Sequence, residues 1–68
     1  MSNEELSKMQ DQLDGIGLIT TIKKVDKKRY NLLLNYEVIK VRKQRRSLKY
    51  HILKIYNDNL DKLVANAI

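Results

Sequence analysis

The densest run of chemistry-bearing side chains is Lys40-Val41-Arg42-Lys43-Gln44-Arg45-Arg46-Ser47-Leu48-Lys49, in which six of ten residues are cationic and three are arginines. The planar fork of arginine matches phosphate oxygens bidentately, and lysine adds a mobile point charge. A second group, Lys23, Lys24, Lys27, Lys28 and Arg29, lies upstream of an apolar segment. Two such groups have the composition of a surface that grips a phosphate backbone, along one duplex or as a clamp. Ser47 and the first amides of a helix beginning there would add a phosphate site at a positive dipole end.

Other chemistries lack their parts. His51 is the single histidine and there is no cysteine, so an ordinary metal site cannot be assembled. Ser2, Ser7 and Ser47 have no organised base, and Glu4/Glu5 and Asp58/Asp61 suit capping or solvation. Gly15-Ile16-Gly17 lacks the later glycine and the lysine of a phosphate-cradling loop. The expectation is a protein that is not an enzyme and uses neither metal nor cofactor. Tyr30, Tyr36, Tyr50 and Tyr56 could stack on bases, but all fall in apolar registers; Tyr50, between Lys49 and His51, is the one near the basic run.

Charge is segregated along the 68 residues, whose net value is +6. Residues 1–14 carry one lysine against four carboxylates; residues 15–49 carry eleven basic residues against Asp26 and Glu37; residues 50–68 balance two against two. A surface that is merely soluble mixes its signs, so the middle of the chain is where an anion would be held. No run approaches the ~18 apolar residues of a membrane span, and an interfacial helix is disfavoured by Asp58, Asp61 and the asparagines near the end. The acidic opening is unlike a secretory signal, and the expected compartment is the cytoplasm. An acidic protein stays open as another partner for the basic patch.

The elements that must position these side chains follow from periodicity. Ser2 and Glu5 form a capping box ahead of Leu6, Met9 and Leu13, which predicts a helix over 2–14 with Gly15 at its C-cap. From Ile16 to Val41 β-branched residues and tyrosines crowd together, predicting strands at Leu18–Val25, Tyr30–Leu34 and Val38–Lys43. Tyr30, Leu32, Leu34, Tyr36 and Val38 alternate as one face, with turns at Asp26–Arg29 and Asn35–Glu37. The run Ile19-Thr20-Thr21-Ile22…Arg29-Tyr30-Asn31-Leu32-Leu33-Leu34 resembles the strand–turn–strand opening of RecX-type regulators, which implies a hairpin. A long C-terminal helix begins at a Ser47 N-cap, with Leu53, Tyr56, Leu60, Leu63, Val64 and Ala67 on one stripe and Leu48, Ile52 and Ile55 on a second.

The predicted fold is thus α+β: one small basic domain over 1–68, with an N-terminal helix, a β-hairpin or three-strand meander, and a long C-terminal helix. The alternative is an all-α helical bundle, because neither glycine nor proline occurs after Gly17. A chain this short buries a limited core, so a homodimer built through Leu53, Tyr56, Leu60, Leu63 and Val64 is expected. The function expected is a small nucleic-acid-binding regulator of phage or plasmid type, with DNA favoured over RNA. Its phosphate contacts would be Lys40, Arg42, Lys43, Arg45, Arg46 and Lys49, joined by Lys23, Lys24, Lys27, Lys28 and Arg29. Gln44, Arg45, Lys49 and Tyr50 could reach bases if the last helix enters a groove. The competing readings are an interaction module, a small inhibitor or adaptor docking an apolar helix or sheet edge on a larger protein, and a structural oligomer that balances packaged nucleic acid.

Overall fold

The computed structural model describes residues 2–67. Helix α1 (Asn3–Asp14) starts where the capping box places it, the Ser2 Oγ accepting from the Glu5 amide at 3.1 Å. Gly15 is the C-cap, as expected, with right-handed geometry (φ −63°). The left-handed residue is Gly17 (φ +82°): its amide donates to the Asp14 carbonyl and that of Leu18 to Leu13, a Schellman closure. Gly15 serves instead as clearance, since a Cβ there would stand 3.2 Å from the Asn66 side chain.

Three antiparallel strands follow in the order β1 (Thr20–Asp26), β2 (Arg29–Leu34), β3 (Glu37–Lys43). The meander reading therefore holds over the all-helical one. Lacking glycine, the β2–β3 turn places Asn35 (φ 50°) and Tyr36 (φ 68°) in the left-handed region, the requirement of a type I′ hairpin. Asn35 tolerates that region well, and it also clamps the chain: its amide donates to the Ile19 carbonyl at 2.8 Å and its Oδ1 accepts from the Ile19 amide at 2.9 Å.

Register decides which face each residue takes. Ile22, Leu32 and Lys40 are aligned on the helix-covered face, while Thr21, Leu33 and Val38 are aligned on the open one. The proposed alternation thus stops at Leu34. A two-residue turn pairs Leu34 with Glu37, which sends Val38 to the opposite face from Leu32 and leaves Tyr36 exposed at the turn. β1 is bulged at Val25, and β3 carries an extra residue twice: Ile39, and the pair Val41–Arg42 opposite Asn31. β1 and β3 are the edge strands.

Helices α1 and α2 (Arg45–Asp58) pack on each other and on the sheet around Leu6, Leu13, Leu32, Leu48 and Ile52. Each such side chain contributes about 1.5–3 kcal/mol by leaving water. The buried line of α2 is thus Leu48–Ile52, the second of the two expected stripes. The long C-terminal helix is two helices meeting at Asn59, α2 and α3 (Leu60–Ala67). The Asn59 amide side chain closes α2 on the Ile55 carbonyl (2.8 Å), and its own carbonyl accepts from Leu63 to open α3. Among the described residues no helix is long and apolar enough to cross a membrane.

Candidate nucleic-acid interface

Both basic groups arrive at the same end of the sheet. The β1–β2 turn, Lys27-Lys28, is flanked by the Asp26–Arg29 pair; one step along β2, Tyr30 pairs with Lys43, after which the chain enters α2. Arg42 fastens the two parts. It sits in the left-handed region (φ 53°) at the β3 bulge, where its amide donates to Asn31 Oδ1 at 3.0 Å and its Nη2 to Asp26 Oδ2 at 3.2 Å. A non-glycine residue held in that region is strained, and here the Asn31 and Asp26 bonds hold it. Asp26, Arg29, Arg42, Lys43, Gln44 and Ser47 line one shallow depression at this end.

α2 begins at Arg45 rather than at Ser47. Gln44 is its N-cap and makes no side-chain capping bond, while Ser47 lies inside the first turn. That turn contains no acidic residue, so Arg45 and Arg46 sit at the positive end of the helix dipole. Such placement costs about 0.3–1 kcal/mol per cation until an anion arrives. Both Arg45 Nη1 (3.1 Å) and Lys49 Nζ (2.9 Å) donate to Asn3 Oδ1 of α1, a neutral amide that positions the two charges without cancelling them. Among the described residues only two ion pairs form, Lys8–Glu4 and Arg42–Asp26. Of the basic residues in the interface, Arg42 alone has an anionic partner there.

A neighbouring depression along α2 gathers Lys40, Lys43, Ser47, Tyr50, His51 and Lys54. Burial, and then the charges of Lys40 and Lys54, hold the His51 pKa below the usual histidine value. Lys54 and the α1 residues Asn3, Glu5 and Met9 were not expected at the interface. Lys54 could have been found, because positions 47, 50, 51 and 54 recur on one helical face; the α1 residues join through tertiary packing alone. Tyr50 is 68 % exposed beside these cations, as its neighbours in sequence suggested.

Not every expected residue converges. Lys23 pairs with Asn31 on the open face of the sheet, whereas Lys24 pairs with Tyr30 on the other. Among the residues expected at a partner interface, Tyr56 and Leu63 pack against this chain's own core and Leu53 is half-buried. Leu60 and Val64 remain exposed on α3. Among the described residues no group of three metal-ligating side chains occurs. Searches against family models, curated proteins and solved structures find no match to this chain.

Proposed function

We propose that this protein is a small, non-enzymatic, cytoplasmic nucleic-acid-binding regulator that grips the phosphate backbone of duplex DNA with the cationic end of its sheet and the first turns of α2. The observation that carries the reading is convergence: Lys27, Lys28 and Arg29 come to the same end of the fold as Arg42, Lys43, Arg45 and Arg46, and among the described residues Asp26 is the one carboxylate paired there. The α2 N-terminus supports it, because its amides have no side-chain cap and Arg45 and Arg46 have no carboxylate partner among the described residues. A homodimer belongs to the same proposal, with Leu60 and Val64 as the exposed apolar residues a second copy would cover. Lacking an extended set of base-reading groups, the protein would bind backbone more strongly than it discriminates sequence.

The test is binding to labelled duplex DNA, single-stranded DNA and RNA across a salt series. If Lys40, Arg42, Lys43, Arg45, Arg46 and Lys49 each engage one phosphate, duplex affinity falls about a thousandfold between about 50 and 200 mM salt. Binding that is absent at low salt, or flat with salt, refutes the proposal and moves attention to a protein partner of α3.

A further inference from the structure

A cleft of about 640 Å³ lies between α1 and α2, and it differs in kind from the flat cationic end beside it. Its apolar side is Met9 and Leu53, its cationic side is Arg45, Arg46 and Lys49, and Tyr50 completes the lining. Glu5 also lines it and forms no ion pair among the described residues, so no protein carboxylate occupies the cations. Asn3 fixes Arg45 and Lys49 through a single neutral oxygen and leaves their charge available.

A ligand complementary to this lining has a flat apolar body and a separate anionic group. A nucleotide in a paired duplex exposes its phosphate and a base edge but hides its base face in the stack, and the flat cationic end already suits the phosphate. An unpaired nucleotide exposes both parts. We propose that the cleft seats one unpaired nucleotide of a bound strand, its base against Tyr50, Met9 and Leu53 and its phosphate on Arg45, Arg46 and Lys49. Glu5 orients it: a carboxylate repels the phosphate and accepts from the amino edge of a base. The proposal rests on the nucleic-acid reading above and adds a preference for duplex ends, gaps or overhangs over continuous duplex.

The experiment compares blunt duplex DNA with the same duplex carrying a short single-stranded overhang that contains 2-aminopurine, at one salt concentration. The overhang is expected to raise affinity roughly 5- to 150-fold, the range for one base stacked on an aromatic side chain, and to quench the 2-aminopurine fluorescence. Tyr50→Ala should bring overhang affinity down to the blunt level, and Tyr50→Phe should keep the preference; the exposure of Tyr50 keeps either change from disturbing the core. Equal affinity for the two DNAs with unquenched fluorescence overturns the cleft proposal while salt-steep blunt binding upholds the backbone reading. An overhang preference that survives Tyr50→Ala also overturns it. A protein that binds none of these DNAs overturns both readings and leaves the cleft to an acidic peptide.

Discussion

The meander has two hairpin turns of equal length and opposite construction. Asn35-Tyr36 is made of conformation: two left-handed residues and two hydrogen bonds that tie Asn35 to Ile19 across the sheet edge. Lys27-Lys28 is made of charge, with no left-handed residue, a bulge at Val25 just before it, and one bond from the Lys27 amide to Asp26. The first spends its residues on holding strands in register. The second leaves its side chains in water, where an arriving phosphate backbone would meet them. A fold of this size thus carries a solvated cationic turn at one end of its sheet and a conformationally constrained turn at the other, with Arg42 the one left-handed residue beside the cationic turn among the described residues.

The contrast can be broken at either turn. The largest effect is expected from Lys27→Glu combined with Lys28→Glu, which should weaken DNA binding at least about tenfold and lower the salt slope by about 1.8 if each lysine meets one phosphate, with an unchanged melting temperature. Loss of stability instead would show that the charged turn is structural. Asn35→Ala should do the converse, costing about 1–2 kcal/mol in denaturant unfolding through the strained left-handed alanine and the lost Ile19 bond, with DNA affinity intact. Smaller and opposite in sign, Tyr36→Gly should raise stability by about 0.5–1 kcal/mol, because the residue is 74 % exposed and glycine relieves the positive φ.

The smallest effect concerns pH. The folded-state pKa of His51 lies below its unfolded value, so between them the unfolded chain binds more protons and stability falls as pH drops from about 7.5 toward 5.5. His51→Gln should flatten that part of the profile. Bound phosphate beside Lys40 and Lys54 should act the other way, favouring the imidazolium, so that DNA affinity rises over the same interval in the wild type and less in the variant.

Local chemistry explains which parts of this fold could be read from residues alone. The Ser2 N-cap, the strand-rich middle and the position of both turns depend on neighbours within a few residues, and all three are present, the N-cap through the Ser2 Oγ bond to the Glu5 amide. Where a distant partner decides, the reading failed. Ser47 has the better N-cap side chain, yet the chain passes from β3 into α2 through Gln44 alone, and the N-cap falls three residues earlier, at Gln44. Leu53, Tyr56, Leu60, Leu63 and Val64 form a regular stripe in sequence, but the break at Asn59 divides it between two helices, with Tyr56 and Leu63 packed on the core and Leu60 and Val64 exposed on α3. The cationic segments of the candidate site were visible as charge. Their convergence was not, because it depends on strand register, on the bulge at Arg42, and on Asn3 reaching α2 from the far end of the sequence.

The open flanks of the sheet give the lysines a further consequence. Among the described residues β1 and β3 each present an outer row of backbone groups with no strand beside it, the template on which chains add to one another in fibrils. Lys23 and Lys24 stand along one flank and Lys40 and Lys43 along the other. A second copy approaching edge to edge would bring like charges together before any backbone bond could form. The same side chains that suit the protein to a polyanion therefore act as gatekeepers against its own aggregation.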